Sequence, residues 1–371
     1  MILLTAATGV SACADRMHAP LMPPGPDAGP ATIKQVFVAT NRRPDPGPEG
    51  WFGRERSETM HYQDLGVSIP PTHEKGRIRN GFRHPDPQTD FTIARRNDLS
   101  GRKAFRDALT QAIRRADPDQ REIVLYVHGY NNSFFDGVFR TAQMQHDFEL
   151  PAVAVHFSWP SATHPLGYTY DRDSVLFSRD ALEELLHDLR AARPRRILLI
   201  AHSLGSMLLM ETLRQIEIGH PGWTRQALGG VVLISPDLDI EVFRTQAERF
   251  QGLPQPFAIF TSNKDKALAL SARINGAAAR LGNLTDPEEL AEFPVTLVDV
   301  SKFSQRGANH FTLGTSPALI SLLNNSASLG AAFQSDRSAR SGLLPGTVLT
   351  VRNATQMILS PDLMLHPPLV P

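Results

Sequence analysis

Apolar residues along the chain fall into short unbroken runs, separated by stretches in which they recur every third or fourth position. Runs at Ile33–Thr40, Leu65–Ile69, Ile123–Val127, Ala152–Phe157, Ile197–Ala201, Leu228–Ile234, Phe257–Thr261 and Pro294–Val300 predict strands, most of them buried on both faces. Between them, the spacing of Phe105, Leu109 and Ile113 predicts a helix over Lys103–Arg115. Leu182, Leu185, Leu186 and Leu189 do the same for Asp180–Arg190. A third helix follows Asn131 or Asn132 as its cap, with Phe134, Val138 and Ala142 on the buried side, and a fourth runs from Leu204 to about Ile218. Alternation of strand and helix predicts an α/β fold: a mainly parallel sheet with helices on both faces. Ligands of such sheets bind beyond the carboxyl ends of the strands.

The pattern is absent at both ends. Met1–Cys13 is an apolar stretch closing on small residues, as at the end of a signal peptide, and Val10-Ser11-Ala12-Cys13 has the form of a bacterial lipobox. No Lys or Arg precedes the apolar run. Residues 19–30 are too rich in Pro and Gly to pack. The expected organisation is a signal or lipoprotein-like segment and linker over 1–30, an α/β domain over 31–325, and a loosely ordered tail over 326–371 with one strand candidate at Val348–Val351. Cys13 is the lipidation candidate. Anchoring through it makes the cell envelope the expected location, with a cytoplasmic protein carrying a loose N-terminus as the alternative.

Composition narrows the function. Lys plus Arg and Asp plus Glu number 38 each, so the formal charge is zero and the basic excess of a nucleic-acid binder is missing. A lone cysteine excludes an internal disulfide and a cysteine-rich metal site. No His/Asp/Cys cluster in the segment up to Asn97 has metal-ligand spacing, and neither metal nor cofactor is expected.

Chemistry concentrates at Ala201-His202-Ser203-Leu204-Gly205, between a strand run and a helical run. This is the strand–turn–helix context of a nucleophile elbow, with Ala201 where glycine is commoner. A serine hydroxyl needs a base, and the base an orienting acid. On such a sheet the order along the chain is Ser, acid, His. Of 13 histidines only His220, His310 and His366 follow Ser203; His220 comes too soon and His366 lies in the Pro-rich tail, which leaves His310. Asp265 follows the later of two strands and is the preferred acid; Asp237 and Asp239 are alternatives that could instead fix a loop or cap a helix. His128-Gly129-Tyr130 follows a buried strand, so the backbone N–H groups of Tyr130 and Leu204 are the expected oxyanion donors. Tyr168, Tyr170, Asp171 and Asp173 read as hydrogen-bonded loop anchors.

Five stretches together carry a family resemblance: Val38-Ala39-Thr40-Asn41-Arg42, Tyr126-Val127-His128-Gly129-Tyr130-Asn131-Asn132, Phe157-Ser158-Trp159-Pro160-Ser161, Ala201-His202-Ser203-Leu204-Gly205 and Pro236-Asp237-Leu238-Asp239. The chain resembles the α/β-hydrolase superfamily, in a bacterial branch of hydrolase-like domains of unknown function. The resemblance implies the α/β-hydrolase fold, Ser203 as nucleophile, His310 as base and esterase-like chemistry on a small-molecule ester, with no substrate specified. Two other readings stand beside an ester-cleaving serine hydrolase: an envelope lipase or phospholipase, and a catalytically silent interaction protein that keeps the fold.

Overall fold

The computed structural model describes residues 20–22, 32–47, 49–81, 84–274, 280–303, 310–324 and 348–359. Cys13 and most of the 1–30 segment, where a signal or lipoprotein-like leader is expected, lie outside them. Strands and helices alternate as β1 (Thr32–Pro44), β2 (Phe52–Ile69), β3 (Thr92–Leu99), α1 (Arg102–Arg115), β4 (Glu122–Val127), α2 (Phe134–Asp147), β5 (Val153–Ser158), α3 (Tyr168–Ala191), β6 (Arg196–His202) and α4 (Leu204–Gly219). There follow α5 (Trp223–Ala227), β7 (Gly230–Ile234), α6 (Ile240–Ala247), β8 (Phe257–Thr261), α7 (Lys266–Ile274), β9 (Thr296–Asp299), α8 (Thr312–Thr315), α9 (Pro317–Asn324), β10 (Val348–Val351) and β11 (Ala354–Ile358).

All eleven strands form one sheet in the order β10-β11-β9-β8-β7-β6-β4-β5-β1-β2-β3. From β11 across to β1 every pairing is parallel; β2, β3 and β10 are antiparallel at the two margins. Strand alternation decides which helices each residue meets. Ile123, Leu125 and Val127 of β4, with Ile197, Leu199 and Ala201 of β6, pack into the core that holds α1, α3, α4 and α6. Val124, Tyr126 and Ile200 point the other way, toward the cluster of Leu313 and Leu319 from α8 and α9. A third cluster packs Phe134, Phe135, Val138 and Phe139 of α2 on Val36, Val38, Leu65 and Val67 of β1 and β2. The expected parallel sheet with helices on both faces is the observed one.

Three local expectations are corrected. The cap of α2 is Ser133, not Asn131 or Asn132: its side chain accepts from the Asp136 N–H while Asp136 accepts from the Ser133 N–H, a reciprocal capping box. Tyr168–Asp173 is not loop but the first turns of α3, whose polar start lacks the apolar period by which its second half was legible. The sheet does not stop at residue 325 either. Strand β10, foreseen at Val348–Val351, turns back into β11, which pairs in parallel with β9 and buries Ala354 and Met357. Residues 326–347 and 360–371 of the expected tail lie outside the described residues.

Fully buried and exposed leucines give this packing a direct check. Leu199→Ala in β6 is expected to cost about 2–5 kcal/mol in urea denaturation, by lost transfer energy and a residual cavity. Leu166→Ala, at a position 88% exposed, is expected to change stability by less than about 0.5 kcal/mol.

Candidate active site

The sheet register aligns the carboxyl ends of β4, β6, β7, β8 and β9. Val127 stands beside Ala201, His202 beside Ile234, Ile234 beside Phe260 and Thr261 beside Asp299. Residues just past these ends therefore meet although they are far apart in sequence.

Ser203 connects β6 to α4 with φ 53° and ψ −124°, a region disfavoured for a residue with a side chain. Its N–H donates to the Ile234 carbonyl at 3.0 Å, and its carbonyl accepts from Ser206 and Asp237. The turn is tight enough to need small neighbours. A Cβ on Gly205 would overlap the His128 carbonyl and come within 2.7 Å of the Val127 carbonyl, so only glycine lets α4 start this close to β4. On the other side, a Cβ on Gly129 would lie 2.8 Å from Ser203 Cβ and 2.7 Å from His202 Nδ1. The Gly129–Tyr130 backbone thus passes directly against the serine. Leu204 opens α4, where first-turn N–H groups have no helical acceptor.

His310 follows β9 and faces the serine from the opposite side. Its Nε2 is 2.7 Å from Ser203 Oγ and its Nδ1 is 2.8 Å from Asp265 Oδ2. A carboxylate only accepts, so Nδ1 carries the proton and Nε2 keeps the lone pair that the serine hydroxyl meets. Asp265 is fully buried just before α7, and its other oxygen accepts from the N–H groups of Ala267 and Leu268, the pattern of a helix cap. One carboxylate oxygen is thereby committed to the helix and the other to His310.

The alternative acids are occupied elsewhere. Asp237 accepts from Ser271 Oγ at 2.7 Å and Tyr168 OH at 2.9 Å, and pairs with Arg280 Nε at 3.3 Å. Asp239 caps α6 through the N–H groups of Glu241 and Val242. His202, next to the serine, donates through Nε2 to the His310 carbonyl at 3.1 Å and lies 4.7 Å from it ring to ring.

One buried cation ties the rim together, although its role has no signature in the sequence beyond its place in a matching stretch. Arg42, at the end of β1, is fully buried. It donates through Nε to Ser158 Oγ at 2.9 Å, and through its terminal nitrogens to the carbonyls of Gly53 at 3.1 Å and Asn132 at 2.9 Å. It also meets His128 Nε2 at 3.3 Å; that nitrogen faces the Trp159 carbonyl at 3.0 Å as well, and Nδ1 faces the Gly129 carbonyl at 2.9 Å. Burial pulls the Arg42 pKa down to about 10, held there against further loss by Asp171, so it remains a cation at neutral pH. Asp171, whose own carboxyl is raised by burial, takes the N–H groups of Asn131 and Ala162 and the hydroxyl of Ser161. The anchor reading made for it from sequence is its observed role. His128 also stacks on Trp159, ring centroids 4.7 Å apart, and the Trp159 N–H donates to the His128 carbonyl. Tyr130 closes the set: its hydroxyl donates to the Pro165 carbonyl, and its ring meets Tyr168 edge-on.

With this geometry in view, comparison with known proteins places the chain. A family described as "Alpha/beta hydrolase of unknown function (DUF900)" matches residues 102–326. The chain belongs to that family. An uncharacterized protein, alr1448 of Nostoc sp. (strain PCC 7120), is 30% identical over 122 residues, covering 26% of this chain and 32% of its own length. The chain thus spans about a third of that relative. Among solved structures, a Rhizomucor miehei esterase matches at 10% identity over 85% of this chain and 86% of its own, with a TM-score of 0.33. Carboxyl esterase 2 of Tuber melanosporum matches at 12% identity over 93% and 80%, with a TM-score of 0.29. The family and the observed topology give an α/β-hydrolase fold.

The imidazoles behind the site make a prediction for stability. Burial holds His128 and His202 well below the usual histidine range and His156 at about 3. Each stays neutral when folded but gains a proton on unfolding below about pH 6.5, so the unfolded state binds more protons and stability falls as pH falls. Urea denaturation is expected to show a loss of about 4 kcal/mol from these three between pH 7.5 and 5.5. Stability that is flat or rises over that interval contradicts the assignment.

Proposed function

We propose that the protein is a serine hydrolase that cleaves carboxylic esters through an acyl-enzyme. The observation that carries this reading is the continuous hydrogen-bond chain from Ser203 Oγ through His310 to a buried Asp265. In this reading Ser203 Oγ attacks the ester carbonyl while His310 Nε2 takes its proton, and Asp265 holds the ring and favours the imidazolium that forms. The negative charge on the tetrahedral oxygen is received by the N–H groups of Tyr130 and Leu204, on the two segments that flank the serine. His310 then returns the proton to the departing alcohol. A water, deprotonated by the same nitrogen, attacks the acyl carbonyl and releases the acid and Ser203.

The test is hydrolysis of p-nitrophenyl acetate and butyrate by the purified chain. Turnover is expected to fall by about 10³-fold or more in Ser203→Ala and by about 10³–10⁴-fold in Asp265→Asn, because the amide no longer fixes the working tautomer. Asp237→Asn, altering a carboxylate bound to Tyr168, Ser271 and Arg280, is expected to have a much smaller effect. Undiminished turnover in Ser203→Ala contradicts the proposal.

A further inference from the structure

Away from the serine, the loop after β2 brings His73 against the last turn of α2. His73 Nε2 lies 2.6 Å from Asp147 Oδ1, and the ligand-type atoms of His73, His146 and Asp147 all lie within 4.8 Å of one another. The Asp147 carboxylate is buried and aimed. Its Oδ2 accepts from the Gly76 N–H at 2.6 Å and from the side-chain amide of Gln143, which leaves Oδ1 facing His73. An ordinary His–Asp pair accounts for His73. It does not account for His146, whose ring stands 5.3 Å from that of His73 and makes no hydrogen bond to a described residue. A second imidazole converging on an oriented carboxylate without a partner of its own is the arrangement of a ligand set.

We propose that His73, His146 and Asp147 form a binding site for a divalent transition-metal ion of the zinc type. Two imidazoles and one carboxylate suit zinc, whereas calcium and magnesium prefer all-oxygen cages. Zinc–nitrogen bonds of about 2.0–2.1 Å set neighbouring ligand atoms about 3.3 Å apart in a tetrahedron. His73 and Asp147 need to part slightly, and the partly exposed His146 ring to swing in. The His73 proton leaves Nε2 on binding, and the neutral ring carries its proton on Nδ1. A water completes the fourth position, and Gly76 and Gln143 supply the outer hydrogen bonds that hold the carboxylate. Because Asn324 donates to the Asp147 carbonyl at 2.6 Å, the ion braces the β2–β3 loop, the end of α2 and the end of α9 at one point. Sequence spacing cannot reveal the site, since His73 and Asp147 are 74 residues apart.

The experiment is calorimetric titration of the full chain, freed of metal by chelation and dialysis, with zinc chloride and separately with magnesium chloride. The expected result is one zinc per chain, no comparable magnesium binding, and affinity at least about tenfold weaker in His146→Ala. Circular dichroism checks that this variant is folded. Cobalt(II) is expected to give the intense visible bands of a four-coordinate site in the wild type, lost in His146→Ala. No zinc uptake by the wild type, equal affinity in a folded His146→Ala, or magnesium binding as tight as zinc overturns the proposal.

Discussion

The rim of the site depends on one buried guanidinium. The segments after β4 and β5 make their turns without a strand or helix to satisfy them, and a buried carbonyl without a donor costs about 1–3 kcal/mol. Arg42 answers this with a planar fork of donors reaching Ser158, Gly53 and Asn132, and it lies against the His128 ring. A lysine could not span those acceptors. Burying the cation is itself unfavourable, as its lowered pKa records, and the acidic Asp171 nearby offsets part of that cost. Asp171 in turn holds the N–H groups of Asn131 and Ala162. The outcome is that Gly129 and Tyr130 are fixed against Ser203 by groups that never touch the serine.

The other half of the site is held differently. Ser203 is set by covalent connection between β6 and α4 and by the close approach that Gly205 and Gly129 permit. His310 stands just before α8. Its position comes from its ring bonds to Ser203 and Asp265 and from the His202 bond to its carbonyl. Next along the chain, Phe311 lies against His202 and under the Arg140 guanidinium, which also donates to the Gly314 carbonyl. Neutral His202, at the end of β6, thus supports His310 through its carbonyl.

How much of this was legible follows from what each residue's role depends on. The strands were readable because strands buried on both faces must be apolar at every position, and β8 matches its expected bounds. Ser203 and His310 were reachable by chain order and elimination, since order along a parallel sheet becomes order across it. Asp265 could be preferred over Asp237 and Asp239, but the distinction lies in partners: a helix and His310 for one, Tyr168, Ser271 and Arg280 for another, a helix start for the third. Arg42 was invisible as an anchor because a buried arginine has the same letter as an exposed one. The β10–β11 hairpin was half visible, being short and far from the strand it joins. Ser133 was missed as a cap because two asparagines stand just before it.

Ser203 is proposed as the serine that its surroundings make nucleophilic, through His310 and Asp265. Intact-protein mass spectrometry after treatment with a fluorophosphonate, followed by peptide mapping, tests it most directly. A single adduct per chain is expected on Ser203 in the wild type, with none formed in His310→Ala. A wild-type chain that stays unlabelled, or an adduct mapped to another residue, would contradict it.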